Sequence, residues 1–224
     1  DFSGRGVIKP DAKLDVHELG LPAEMMTKLA YQECVNASNM QRLQEAVEAG
    51  SSATHGAEVV LLASGHVLQL RYMDSAQRAA IKLQIGDKVE RHLMDGDFVT
   101  LNRQPSLHRL SMMSFRARAL HGGEQALSVN TNSLTPMNGD FDGDEMNVQV
   151  IQSELGTAEI TLLMALERNV INPQNNQPCL GLIQDGRVGG YLLSQKSTWL
   201  TKDQMQHCMA TVRHPIPGKF VLPP

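Results

Sequence analysis

Phe98-Val99-Thr100-Leu101-Asn102-Arg103-Gln104-Pro105-Ser106-Leu107-His108-Arg109-Leu110-Ser111-Met112-Met113-Ser114-Phe115-Arg116-Ala117-Arg118-Ala119 reads as two β-rich runs, 98–101 and 112–119, with a stretch holding Arg103 and Arg109 between them. Working outward, similar short runs precede it at 59–62, 67–72 and 88–93 and follow it at 126–129 and 146–151. Ser-Gly, Asp-Gly and Gly-Gly pairs punctuate them as turns. Many short strands at this spacing suggest a barrel rather than alternating strand and helix. The fold class expected is α+β and β-rich: a β-barrel core with flanking helices, followed by a helical region.

The flanks supply the helices. Residues 21–35 carry Pro22 where a first helical turn tolerates it, then Met25, Met26, Leu29 and Ala30 at helical spacing. Residues 38–49 follow, with Ser38 as the expected cap and Gly50 as the stop. Beyond residue 152, Ser153-Glu154 opens a run containing Ile160, Leu162, Leu163, Ala165 and Leu166, and 181–194 forms a Gly-interrupted candidate. Thr201-Lys202-Asp203-Gln204 is a capping box opening a helix to about Val212. Residues 172–178, rich in Asn, Gln and Pro, read as a loop. The boundary falls near residue 152, giving regions 1–152 and 153–224.

The 224 residues carry 20 Lys+Arg against 24 Asp+Glu, a formal charge of −4, with 42% apolar and 20% charged residues. That balance excludes a disordered, highly charged tail, and no apolar run approaches the roughly 20 residues of a membrane span. No signal or transit peptide opens the chain. The start at Asp1 without Met and the close on Val221-Leu222-Pro223-Pro224 read as a piece of something longer. Cys34, Cys179 and Cys208 lack any paired spacing, so a disulfide framework is not expected; His207, Cys208 and His214 read as ordinary helix residues rather than a zinc site. Global charge alone argues against nucleic-acid binding.

Local charge argues otherwise. Asn138-Gly139-Asp140-Phe141-Asp142-Gly143-Asp144-Glu145-Met146-Asn147 places three carboxylates at i, i+2 and i+4, where like charges disfavour one another unless a cation joins them. An all-oxygen set suits Mg²⁺ or Mn²⁺, and Gly143 lets the backbone bend so that the carboxylates converge. A solvated acidic turn is the other reading of the same residues. A calcium loop needs Gly at its sixth position and Glu at its twelfth, and these hold Glu145 and Ile151. A phosphatase of the haloacid dehalogenase type would need Thr or Val where Asp144 stands. Residues 98–123 hold Arg103, Arg109, Arg116 and Arg118 and no acid. Such arginines offer forked donors to phosphate or sugar, or else snorkel from a solvated strand face. Basic residues beside a carboxylate triplet are what phosphoryl or nucleotidyl transfer requires. His92 and His108 are candidate proton-transfer groups, and Phe141 and Met112-Met113 read as packing.

Residues 138–144 resemble the N-A-D-F-D-G-D signature of the largest subunit of multisubunit, DNA-dependent RNA polymerases. Residues 102–113 resemble that family's N-R-Q-P-T-L-H-x-x-S-M-M block, and residues 1–11 its D-F-S-A-R-T-V-I-x-P-D segment. Residues 89–97 are similar to V-E-R-H-x-x-D-G-D, and 172–174 with 181–185 to T-P-Q and G-x-x-Q-D. Gly139 and Ser106 depart from the family's usual Ala and Thr.

The resemblance implies a double-psi β-barrel for 1–152 and the start of the pore region for 153–224. It implies that Asp140, Asp142 and Asp144 hold a catalytic Mg²⁺, with a second Mg²⁺ arriving with the NTP. Asn138 and Arg103 would face the ribose hydroxyls, and Gln104 and Pro105 would shape the floor near the RNA 3′ end. Arg5, His108 and Arg109 would contact nucleic acid. Partners implied are the second-largest and other polymerase subunits, template DNA, the RNA transcript and NTPs, with no membrane. The setting implied is intracellular: nucleus for a eukaryotic cellular enzyme, cytoplasm for an archaeal or cytoplasmic-virus one. An RNA-templated polymerase of the RNA-silencing type and a non-catalytic metal-binding assembly module are the alternatives.

Overall fold

The computed structural model describes residues 2–212. Its contacts divide the chain into two compact units, one ending at Gly181 and the other beginning at Leu182. The chain opens on β1 (Ser3–Pro10) and β2 (Glu18–Pro22), followed by the short helix α1 (Ala23–Lys28). Next come β3 (Ala30–Cys34), α2 (Met40–Ala49), β4 (Ala57–Leu61), β5 (Val67–Gln69), α3 (Ser75–Ala80) and β6 (Lys88–His92). The chain then forms β7 (Phe98–Asn102), β8 (Met112–Leu120), β9 (Leu127–Val129) and β10 (Glu145–Gln149).

Six of these strands close into a barrel in the order β1-β10-β7-β8-β2-β9, with β9 returning to β1. The β1/β9 and β2/β8 pairs are parallel and the other four antiparallel. Period-two alternation aims Met146 and Val148 of β10 inward and leaves Glu145 and Gln149 exposed. Leu19, Leu21, Val99, Leu101, Met113, Phe115 and Leu127 fill the barrel alongside them, all fully buried. Each such side chain contributes about 1.5–3 kcal/mol by leaving water.

The remaining strands of this stretch form a separate four-stranded sheet, β3-β6-β4-β5, whose own core holds Val35, Leu43, Val47, Val60, Leu70 and Val89. The barrel expectation therefore holds for 98–101, 112–119, 126–129 and 146–151, while 59–62, 67–72 and 88–93 belong to this second sheet. The predicted helix over 21–35 is also corrected. It stops at Lys28, because Ala30 to Cys34 pair residue by residue with β6, and that pairing with burial of Leu29 and Ala30 outweighs helical spacing. The barrel also includes β1 and β2, which lie outside the β-rich runs of the sequence. Ser38 does not cap α2. Asn39 precedes the helix, and the Asn36 carboxamide oxygen accepts from the Ser38 and Asn39 N–H groups instead. Gly50 ends the helix with φ 76°, as a left-handed stop requires.

A buried guanidinium ties the sheet to the barrel's approach. Arg91 lies between Glu33 on β3 (2.6 Å) and Asp97 just before β7 (2.7 Å), with Tyr31 stacked against it at 5.0 Å. Both acids are shielded from water, so this pair is stronger than a surface one.

After β10, Ser153 caps α4 (Glu154–Glu159) by accepting from the Gly156 N–H, and a π-helical turn, Ile160–Met164, extends it. Ile160 and Leu166 are buried, and the Ser114 hydroxyl on β8 donates to the Ile160 carbonyl at 2.6 Å. Residues 153–181 thus lie within the first unit, past the boundary drawn from sequence at 152. The expected loop at 172–178 is a small hairpin of β11 (Ile171–Asn172) and β12 (Gln177–Pro178). In the second unit, α5 (Gln184–Ser194) precedes α6 (Lys202–Ala210), which opens on the expected capping box of Thr201 and Gln204. His214 lies outside the described residues, among which no helix is long and apolar enough to cross a membrane.

Candidate active site

Register brings the two unusual sequence stretches together. β10 runs antiparallel to β7, with Asn147 opposite Asn102, so the start of β10 lies beside the end of β7. The acidic loop immediately precedes β10, and the 103–111 connection immediately follows β7. Arg103 and Asp144 therefore meet although 41 residues separate them, with Arg103 Nε donating to Asp144 Oδ2 at 2.7 Å. On the other side β1 pairs with β10, and the Ile8 N–H donates to the Asp144 carbonyl at 3.0 Å, pinning the loop's last residue to the barrel.

The loop itself is half organised. The Asp144 carboxylate also accepts from the Asp140 N–H at 3.0 Å, and Asp140 Oδ1 accepts from the Phe141 N–H at 2.8 Å. The Arg103 guanidinium, aided by the Asp140 amide, holds the Asp144 carboxyl below the usual carboxylate range, and Asp144 in turn keeps Arg103 charged. Gly143 takes φ 113°, which a side chain would strain, and Asp140 and Asp142 stand exposed. Phe141 packs at the edge of the barrel core, as a packing residue should. Gly139, the departure from the family's Ala, has a local account: a Cβ there would lie 2.9 Å from Leu134 Cγ and 3.0 Å from Met146 Cε.

Three carboxylates within five residues are the donor chemistry a hard divalent cation prefers. In this structure they are not gathered. Among the described residues no group of three His, Cys, Asp or Glu lies close enough to share a metal ion. Asp144 is engaged by Arg103 through Oδ2, and the three carboxylates suit magnesium in type although the loop does not draw them together.

Around this pair stand the other candidates. Asn138, in the left-handed region at φ 51° and ψ 37°, ends a 3₁₀ turn over Thr135–Met137 and leads into the acidic loop. Gln104 and Pro105, joined by a cis peptide bond, are exposed on the 103–111 connection with His108. Arg5 lies on the barrel's outer face, donating to Glu145 Oε2 at 2.6 Å and to Asn147 Oδ1 at 3.3 Å. Arg109 donates to the buried Asn169 carboxamide at 2.5 Å.

The acid-free strip consequently has acids around it in space. Besides Arg103 on Asp144, Arg118 pairs with Glu18 at 3.0 Å, and Arg116 stacks on Phe98 at 4.7 Å. The parallel register that sets Gly20 beside Arg118 and Glu18 beside Arg116 supplies the missing acid. Residue order gives no sign of Glu18, Asn169 or Glu145 as partners of these arginines, since each lies 60 to 140 residues from its arginine. The Ser111 hydroxyl lies 3.2 Å from His108 Nδ1, a contact that only the turn geometry reveals.

Comparison with known proteins places these features in a family. Residues 1–166 match the family model described as RNA polymerase Rpb1, domain 2, and residues 169–224 match RNA polymerase Rpb1, domain 3. The chain is 42% identical over 205 residues to the DNA-directed RNA polymerase subunit Rpo1N of Sulfolobus acidocaldarius, covering 92% of this chain and 23% of that protein. It is 41% identical over 199 residues to the DNA-directed RNA polymerase III subunit rpc1 of Dictyostelium discoideum, covering 89% of this chain and 14% of the relative. To the DNA-directed RNA polymerase II subunit RPB1-B of Trypanosoma brucei brucei it is 41% identical over 202 residues, 90% of this chain and 11% of the relative. The chain spans under a quarter of the length of each.

Proposed function

Because this chain belongs to the Rpb1 family, the largest subunits of DNA-directed RNA polymerases, we propose that it supplies the metal-holding part of the polymerase active centre, extending an RNA 3′ end with ribonucleotides on a DNA template. The observation that carries this reading is the meeting of Arg103 with Asp144, which sets the arginine of one family block against the last acid of the other. The three relatives named above are all DNA-directed polymerase subunits, which favours a DNA template over an RNA one.

In this reading Asp140, Asp142 and Asp144 would hold a Mg²⁺, and a second Mg²⁺ would come with the NTP. Bound there, Mg²⁺ would polarise the α-phosphate and favour ionisation of the attacking 3′-hydroxyl. The chain's own residues would orient the substrate. Arg103 and Asn138 would take the ribose hydroxyls, offering polar groups that a deoxy sugar leaves unpaired. Gln104 and Pro105 would lie under the RNA 3′ end. Arg5, His108 and Arg109 would line the nucleic-acid path, although Arg5 and Arg109 already hold protein partners. We extend the proposal to a double-psi winding of the six-stranded barrel and a pore-lining role for 153–224. It also includes assembly with the second-largest subunit, which would complete the site, and an intracellular setting, nuclear or cytoplasmic according to the branch.

The test is Asp142→Asn in the assembled polymerase. Chain extension should fall by several orders of magnitude while subunit assembly stays intact. Extension at the normal rate would overturn the catalytic assignment.

A further inference from the structure

The active-centre reading gives His108 only a general place near nucleic acid, yet its ring is held at both nitrogens. His108 Nε2 lies 3.4 Å from Asn138 Nδ2, and His108 Nδ1 lies 3.2 Å from Ser111 Oγ. The 3₁₀ turn over Arg109–Ser111, closed by the Ser111 N–H donating to the His108 carbonyl at 3.0 Å, folds Ser111 back against the ring. Ser111 is 1% exposed, so the anchor at that end is part of the packed fold.

The chemistry of these groups gives the chain of bonds a direction. A carboxamide nitrogen donates and does not accept, so His108 Nε2 must accept from Asn138. The ring proton then sits on Nδ1 and is donated to Ser111 Oγ. With Nδ2 committed to the ring, the Asn138 amide turns its other end, the oxygen Oδ1, away from His108. The backbone beneath it is already set: Asn138 closes the 3₁₀ turn with its N–H on the Thr135 carbonyl at 3.1 Å, in the left-handed conformation. The side-chain torsions remain, and the imidazole is the side chain in contact with the amide.

We propose that His108 is a positioning residue for sugar selection: anchored on Ser111, it orients the Asn138 amide so that Oδ1, a pure acceptor, faces the incoming sugar. This rests on the reading of Asn138 as a ribose contact. It adds which atom does the selecting and what aims it. A ribose hydroxyl donates to Oδ1, whereas a sugar lacking that hydroxyl leaves the oxygen unpaired.

The experiment measures the ratio of NTP to dNTP incorporation by assembled polymerase containing the full-length subunit with Asn138→Ala, His108→Ala, both together, His108→Gln or Ser111→Ala. Asn138→Ala should narrow the ratio, and His108→Ala should narrow it by about two- to tenfold, the range of one neutral hydrogen bond. In the Asn138→Ala background His108→Ala should add nothing. His108→Gln, whose side-chain oxygen can accept from Nδ2, should restore most of the ratio. Ser111→Ala, which removes one buried oxygen and leaves the histidine, should shift it the same way by less. If Asn138→Ala narrows the ratio and both His108→Ala and Ser111→Ala leave it at the wild-type value, the positioning role is wrong and the ribose reading stands. Additive narrowing in the double variant would show His108 acting independently of Asn138 and would also overturn the role. A ratio indifferent to Asn138→Ala would overturn the ribose reading and this inference with it.

Discussion

His92 and Glu33 show how single buried groups set the acid limit of this fold. His92 is almost fully buried with Nδ1 donating to the Ala53 carbonyl at 3.0 Å; burial pushes its pKa below the ordinary value, the carbonyl opposing only in part. The unfolded chain therefore binds the proton more readily, and stability present above about pH 6.5 falls as the pH drops through the histidine range. Glu33 is also partly buried, which by itself would raise its pKa. The hydrogen bonds from Arg91 and Asn39 and the charges of Arg91 and Arg42 outweigh burial and hold it lower than usual. Its contribution is intact above about pH 4.3 and is lost as the pH falls further, through its folded pKa. Urea midpoints measured from pH 8 to pH 3 should thus decline in two steps. His92→Gln should flatten the upper step and Glu33→Gln the lower, Glu33→Gln also costing about 1–3 kcal/mol at neutral pH because Arg91 loses a partner. A profile unaltered by either change would contradict the assignment of those steps.

At the level of elements, β2 is closely packed within the barrel. It is wedged between β8 and β9, and a Cβ on Gly20 would come within 2.8 Å of both Leu120 Cδ2 and Ser128 Cβ. Gly20→Ala should destabilise by about 1–3 kcal/mol in urea titration, against little effect for the same change at Gly189 on α5, where the backbone is helical and a Cβ meets open space. The same crowding explains what could be read from sequence. β7, β8 and β10 carry apolar residues at alternate positions or in continuous runs, so their type was evident from residue order. β1, Ser-Gly-Arg-Gly-Val-Ile-Lys-Pro, has glycines where partners press close, with Met25 Sδ only 3.2 Å from where a Gly4 Cβ would stand, and it therefore lacks the apolar pattern that marks a strand. β3 was hidden differently: Met25, Met26, Leu29 and Ala30 satisfy a helical period, and only pairing with β6, some 60 residues later, makes the second half a strand. The candidate site was more legible than the fold around it, since the acids and arginines announce themselves in the residue order. Their mutual pairing was not, because it depends on strand register.

For the whole molecule, closure of the barrel depends on β10, which lies between β1 and β7 and gives ladder bonds to both. Val148 lies within it, opposite Gly4 on one side and Leu101 on the other, and is fully buried. Val148→Pro should cost about 3 kcal/mol or more by removing a ladder donor from an interior strand. The loss should be visible as a collapse of the cooperative urea transition. A substituted chain that kept the wild-type midpoint would argue that the barrel tolerates an open seam. The seam also has a meaning in time. Arg5 and Glu145, joined across β1 and β10, are 140 residues apart, so at about 5–20 residues per second the ribosome needs roughly 7 to 28 s to deliver the partner. For most of that interval, until β9 and then β10 are made, β1 lacks both of its barrel partners, and its glycines, arginine and lysine disfavour pairing with another nascent chain.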